Sequence, residues 1–595
     1  MKRLKYLGNA SNRVCIKIPL AGSFNRKSSV ILFIIIYFSL LTSHLLTAGG
    51  MVYWTPNGIK LSDKRAYPSD IISDEKGGAI VILDGTAIND SIYAQRVNGG
   101  GNLLWGSNGV FVGGSYLITN GAKAVSDGKG GVIVVWERYS GLTYLNLFAQ
   151  RLDSTGVMMS NPNGVLICNA DSDQCYPAIV SDGASGAIIV WQDGRNGTSG
   201  RWDIYAQRID SIGNVKWLAN GVPMCTATGQ QERPSLCSDG EKGAVVVWFD
   251  TRNDVYAQRI DSNGIVQWGA TGKTICATVN YEGGPSLSLI DTNGIIIAWM
   301  DNRNANYDIY AQRINLNGDT LWPGGVAICT AESLQGGQKI IKDDHGGAII
   351  LWYDKRLNGL YDLYIQRTDS DGIIKWLPNG VSVCTNDSTQ QYPALTSDNA
   401  SGAIIAWEDK RNYGSNRWDV YAQHVDSSGN VLWDTNGMVI CTAQWSQGSS
   451  AITTDMAGGA IIAWGDNRDL AGKTYAQRVG DDQAGTIEHM QNKELIIPDI
   501  QLDIHPCPFT NRVSIKVSLD TRGTFALDSK SQTLNFKIYE VSGQLVKQFN
   551  HLDKNQLMII WSGDDDSGRR LPAGIYFVRL KVNDFHVIKK LIKIE

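Results

Sequence analysis

Tyr392-Pro-Ala-Leu-Thr-Ser-Asp-Asn-Ala-Ser-Gly-Ala-Ile-Ile-Ala-Trp407 and, a few residues on, Val420-Tyr-Ala-Gln-His-Val-Asp-Ser-Ser-Gly-Asn-Val-Leu-Trp433 decide the fold. Tyr392–Thr396 is a short strand, and Ser397–Gly402 is a turn. Ala403-Ile-Ile-Ala-Trp407 is an apolar run of strand length without alternation, as a strand covered on both faces requires. Val420–Val425 is a third strand rich in β-formers. After the Asp426-Ser-Ser-Gly429 turn the reading predicts a fourth strand, running from Val431-Leu-Trp433 through Met438-Val-Ile-Cys441. Nothing in the unit reads as a long helix.

The unit recurs. Tyr-Ala-Gln-Arg begins at Tyr93, Tyr205, Tyr256, Tyr310 and Tyr475, with variants at Phe148, Tyr364 and Tyr421, spaced 55, 57, 51, 54, 54, 57 and 54 residues apart. Each later copy follows an apolar run ending in tryptophan (Trp136, Trp191, Trp248, Trp299, Trp352, Trp407, Trp464), and Leu83 takes that place in the first. A second tryptophan follows the Asp-x-x-Gly turn at Trp105, Trp217, Trp268, Trp322, Trp376 and Trp433, with Trp54 opening the series. Four-stranded sheets bury little alone. Stacked radially they cover one another's faces and leave few open edges. The last unit stops after its third strand, and residues 52–61 match a fourth. The expected fold is therefore all-β: an eight-bladed β-propeller over residues 51–480, closed by its own N-terminal strand. The period exceeds the roughly 40–45 residues of WD40 repeats, and their signature is absent at the right phase.

The Asp-x-x-Gly-x-x-x-Trp turns resemble the Asp-boxes of sialidase-like propellers, wider by one residue on each side of the glycine. The resemblance implies the architecture and little about activity.

Residues 481–499 lack the repeat and read as a linker. His505-Pro-Cys-Pro-Phe509, Val513–Val517, Phe536–Gly543, Trp561-Ser-Gly-Asp-Asp-Asp-Ser-Gly568, Pro572–Phe577 and Lys589–Lys593 then follow in order. This series over 500–595 resembles the C-terminal sorting domain of the bacterial type IX secretion system and the related immunoglobulin-like domain of flagellar hook-capping proteins. Pro506-Cys-Pro-Phe509 departs by one residue from that family's usual Pro-Asn-Pro-Phe. The resemblance implies a small immunoglobulin-like β-sandwich that addresses the chain to outer-membrane secretion machinery. Asp564, Asp565 and Asp566 could hold calcium, but Gly563 and Gly568 make a solvated turn the simpler reading.

The 595-residue chain is long enough for several domains. Residues 1–48 carry seven Lys or Arg and no acid, and they lead into the apolar Val30–Leu46. Residues 1–50 thus read as an export signal, cleaved or retained as an anchor. Its removal takes the net charge from −4 down by seven, to −11. So acidic a protein repels phosphate backbones, which argues against nucleic-acid binding. The expected location is the cell surface or exterior of a Gram-negative-type bacterium, and the expected state a monomer.

Chemistry is sparse. Cys168, Cys225, Cys276, Cys329, Cys384 and Cys441 occupy one repeat position and read as buried small hydrophobes. Cys175 and Cys237 are extra, and their spacing permits bridges to Cys168 and Cys225 without requiring them. The propeller's two histidines, His345 and His424, lie in no metal or triad motif, so no catalytic residue, metal site or cofactor is assigned. Asp-x-Arg after the blade tryptophan recurs in six units and is read first as an ion pair that steadies a loop.

Recognition is expected where blades differ. The loop between strands two and three is longer in the third and seventh units, at 196–203 and 412–419, which face each other across an eight-membered ring. Trp202, Trp418, Trp445, Arg195 and Arg411 are the candidate ligand contacts, for a glycan or a protein surface. The alternative is a sialidase-like or other glycan-active hydrolase.

Overall fold

The computed structural model describes residues 49–594, apart from 86–90, 115–120, 141–143, 198–200, 253, 277–284, 292–293, 413–416, 471, 482–499, 506–508, 520–533, 541–544, 553–557 and 583–584. Residues 1–48 of the stretch read as an export signal, residues 482–499 of the linker, the Pro506–Pro508 motif and the tips of the two long loops lie outside the described residues. The chain divides into two compact units, Met1–Gly485 and Thr486–Glu595. No α-helix occurs among the described residues.

The first unit holds eight successive antiparallel sheets among the described residues, seven of four strands and a last one of five. Blade six shows the plan: Gln335–Lys342, Ala348–Asp354, Asp362–Thr368 and Val381–Cys384, hydrogen-bonded in that order. The first strand of each blade lies beside the first strand of the next. That of blade eight, Gln447–Thr454, returns to that of blade one, Ala66–Ser73, so the sheets form a ring around an axis. Gly50–Val52 and Ile59–Lys60 both pair with the third strand of blade eight, Lys473–Asp481. The ring is closed by the N-terminal segment, as the truncated last repeat predicts.

The fourth strand is shorter than the sequence suggests. In blade seven it is only Met438–Cys441, while Val431 makes an isolated bridge back to Val425. The intervening Asn436-Gly437 turn has φ of 65° and 97°, the geometry an Asn-Gly pair favours. A Cβ on Gly437 would stand 2.3 Å from the Trp407 ring, so only glycine lets the turn rest on that indole.

Each residue of Tyr-Ala-Gln-Arg has a separate task, plain in blade six. Tyr364 stacks on fully buried Trp352, with ring centroids 6.4 Å apart. The indole of Trp352 donates to Asp354 at 3.0 Å, Asp354 holds Arg356 at 2.5 Å, and the Arg356 guanidinium lies 3.9 Å over the Tyr364 ring. Gln366 donates to the Leu377 carbonyl and accepts from the Trp376 amide, fixing the stretch before the fourth strand. Arg367 pairs with Asp343 of its own blade at 2.9 Å and donates to the Ser427 carbonyl of the next, a carbonyl that Trp376 Nε1 also reaches. Glutamine and arginine thus satisfy backbone that would otherwise be stranded at the blade seams.

The repeated cysteine also lies at a seam. Cys329 of blade five takes a hydrogen bond from Arg356 of blade six at 3.1 Å, and burial pushes its thiol up to about 12. Cys168, Cys175, Cys225 and Cys237 are free thiols in this structure.

The second unit has one sheet of Ile500–His505, Val513–Leu519 and Met558–Trp561, and another of Leu545–Leu552, Leu534–Glu540, Gly574–Val582 and Phe585–Lys593. Phe509, Trp561, Tyr576, Ile538 and Val578 join them in one core, the packing of a small sandwich. The three neighbouring aspartates diverge. Asp564 pairs with Lys547 at 2.6 Å, Asp565 closes its own turn onto the amides of Ser567 and Arg569, and Asp566 accepts from the Gln548 amide.

Candidate functional site: the mouth of the central channel

The first strands line the axis, and most of the fully described ones break register in the same place. In blade seven the pairing passes from Gln391 to Ala394, leaving Tyr392 and Pro393 out of the ladder. Such a bulge re-aims a side chain. The displaced residue has positive φ in five blades: Tyr176 (55°), Arg233 (53°), Gly337 (63°), Tyr392 (48°) and Ser449 (54°). For a non-glycine residue this costs on the order of 1–2 kcal/mol. A hydrogen bond donated to the preceding blade offsets it. The amides of Tyr176, Arg233, Tyr392 and Ser449 donate to Glu137, Gln192, Tyr353 and Glu408, each the residue just after its blade tryptophan or, in the sixth blade, Tyr353 after Trp352. The amide is thereby tied to the neighbouring blade and the side chain left exposed: Tyr176 and Tyr392 are 49% and 63% exposed. They belong to blades three and seven, across the ring from each other.

Two residues further along, register places one side chain per blade at an equivalent position: Asp70, Lys123, Ala178, Ser235, Ser286, Lys339, Ala394 and Ala451. Five are small and three are charged. Asp70, Lys123 and Lys339 share a cavity of about 1090 Å³ with Arg233, Tyr353, Tyr392, Glu408 and Trp418. Both oxygens of Asp70 accept backbone amides, from Ile71 and from Ala124 of the next blade. Burial raises the Asp70 carboxyl above its usual range, and nearby Lys123 opposes that rise. Glu408 is likewise raised by burial, and it accepts from Ser449 and Gln391. Lys339 is depressed by burial and by the like charge of Lys123.

The candidate tryptophans stand at the same end. The carbonyl of Trp202 accepts from Gln231 and that of Trp418 from Gln447, the residues that open the next blades' first strands. Trp202 and Trp418 are half-buried, and Trp445 is 41% exposed. Trp418 lies under Lys410, 4.3 Å from ring to ammonium, and also lines the cavity. Trp445 has φ of 71°, with Arg417 5.6 Å from its ring. Arg195 and Arg411 lie in the frame beneath. Arg195 binds Asp193 at 2.6 Å, Cys168 and the Asn220 carbonyl; Arg411 binds Asp409 at 2.6 Å, Cys384 and the Asn436 carbonyl. Each guanidinium also covers a tyrosine ring, Tyr205 or Tyr421.

Sequence reasoning passed over Lys123, Lys339, Arg233 and Tyr392. The signal that finds them is the register of the first strand, where five blades carry alanine or serine and two carry lysine.

Fold and site together define a closed-ring β-propeller with a polar, aromatic-rimmed axial mouth, followed by an immunoglobulin-like unit. Residues 510–584 match the FlgD Ig-like domain family. No curated protein matches the chain. Among solved structures, a polysaccharide lyase described as an ulvan lyase is 11% identical, with 72% of this chain and 96% of that one covered and a TM-score of 0.39. An endo-arabinase from Bacteroides thetaiotaomicron is 12% identical over 43% and 95%, with a TM-score of 0.27. PorZ, a surface component of the type IX secretion system of Porphyromonas gingivalis, is 10% identical over 90% and 82%, with a TM-score of 0.23.

Proposed function

We propose that this is an exported surface or secreted binding protein that takes a glycan at the axial mouth, with Trp202, Trp418 and Trp445 as contacts and Arg195 and Arg411 bracing the loops beneath them. The observation that carries the reading is the pair of exposed tyrosines, Tyr176 and Tyr392, held at positive φ on opposite blades, with Tyr392 lining one cavity with the half-buried Trp418. Flat aromatic faces on a rigid frame suit sugar rings, and strain retained at a ring mouth points to use. The immunoglobulin-like unit, in this reading, addresses the chain to outer-membrane secretion machinery, and the protein acts as a monomer at the cell surface or outside it.

Two experiments test the reading. The purified chain is applied to a glycan array, with a hydrolase substrate panel in parallel. Binding that the Trp202/Trp418/Trp445→Ala triple variant loses, at unchanged thermal stability, supports it. Normal binding by that variant refutes the site, and turnover on the panel moves the protein to the glycan-active hydrolases. Deletion of residues 500–595 is expected to abolish surface delivery while the propeller still folds. Normal delivery would remove the addressing role.

A further inference from the structure

We propose that the channel mouth is selective for acidic saccharides, holding a carboxylate or sulfate group between Lys123 and Lys339. The inference rests on the glycan reading above and adds the ligand's charge. Blades two and six are diametrically opposed in a ring of eight, so these two lysines face the same axis from opposite sides, and both line one cavity. Blade construction does not call for them, because alanine or serine fills the same register position in five other blades. Facing ammonium groups repel, so the pair opposes folding rather than assisting it.

Asp70 attracts Lys123, but no acid of the cavity makes an ion pair with Lys339. Asp70 spends both oxygens on backbone amides, and Glu408 spends its own on Ser449 and Gln391. Lys339 has no ion-pair partner among the described residues, and Arg233, the third cation of the lining, has none either. A ligand anion would supply the missing counter-charge through charge-assisted hydrogen bonds. The space, about 1090 Å³, is enough for more than one sugar ring. Tyr392 stands at the rim, where a ring can lie against it while its acidic group reaches inward. A protein ligand would need an acidic side chain delivered down the same opening, which the rim aromatics do not specifically favour.

The test uses the full chain and three probes in calorimetric titration at low salt: a galacturonic acid tetramer (carboxylate), a sulfated galactose tetramer (sulfate) and a neutral galactose tetramer. At least one acidic probe is expected to bind and the neutral one not. Lys339→Met and Lys123→Met should each weaken binding about tenfold, with melting temperature unchanged or raised. Lys375→Met, at a turn on the other end of the blades, should change nothing. Preference between the acidic probes identifies the group. Neutral binding as tight as acidic binding, or full affinity in Lys339→Met, overturns the charge inference and leaves the glycan reading standing. Binding of no saccharide overturns both.

Discussion

Asp362→Asn should stabilise the protein, and increasingly so as pH rises. In blades three, five and seven an asparagine just after the Asp-x-Arg arginine donates to the aspartate that opens the third strand: Asn196 to Asp203 at 2.9 Å, Asn304 to Asp308 at 2.7 Å and Asn412 to Asp419 at 2.8 Å. Blade six has Leu357 in that place, and Asp362 is fully buried with neither carboxylate oxygen hydrogen-bonded. Burial, then the charges of Asp354 and Asp387, push its carboxyl up to about 7 from 3.8. Below pH 3.8 the group is neutral folded or unfolded, and it costs nothing extra. Between 3.8 and 7 the unfolded form ionises and the folded form does not, so stability falls as pH rises, and above 7 the full penalty remains. Three pKa units correspond to up to about 4 kcal/mol at pH 8 and about 1 kcal/mol at pH 4.5. Over the roughly 430 residues of the ring, about 2.1 cal/mol/K per residue converts 4 kcal/mol to a melting shift of about 4 °C. Differential scanning calorimetry of both proteins at pH 4.5, 6 and 8 should show the advantage of the variant growing along that series. An advantage independent of pH, or a less stable variant at pH 8, would refute the orphaned-carboxylate account.

His424 replaces the seam arginine in blade seven and lies 2.9 Å from both Asp398 and Asp481, whose attraction outweighs burial and raises it from 6.5 to about 9. Its contribution, up to about 3 kcal/mol, is fully present below pH 6.5 and lost as pH rises through 9. His424→Gln should flatten unfolding curves between those values, and an unchanged slope would sink the idea. Trp352→Ala should cost about 3–5 kcal/mol, because the whole ring is enclosed and neighbours close only part of the void. A melting temperature within error of the parent would contradict it.

The ring was legible because its signals repeat. Eight tetrapeptides and two tryptophan series fix the phase, and Trp54-Thr-Pro-Asn-Gly58 resembles Trp433-Asp-Thr-Asn-Gly437 closely enough to predict closure. The structure gives the match its reason: Trp54 and Thr55 bond Gln477, and Arg468 reaches the Asn57 carbonyl, as Gln366 and Arg356 do with their own fourth segments. The mouth was less legible. Tyr392 and Lys339 sit in first strands, where a two-residue bulge hides which side chains share a face. Asp362 looks like every other third-strand aspartate until its missing asparagine is noticed. Both are departures from the repeat, which periodicity averages away.

Ring closure by the N-terminal segment also sets the order of folding. Gly50 pairs with Asp481, 431 positions later, whereas each interior blade closes within its own repeat of about 55 residues. In the logarithmic law for loop closure the longer loop costs about 1.8 kcal/mol more. The cost can be met only once the eighth blade exists. Until then residues 50–60 have no sheet to join and the last blade lacks its outer cover. A ribosome or translocon delivering the chain from its N-terminus therefore holds an open spiral until almost the last residue of the ring has emerged. The closing step is late, single and slow by topology, and it is the step at which a partly delivered chain remains most exposed to proteases and to edge-to-edge pairing.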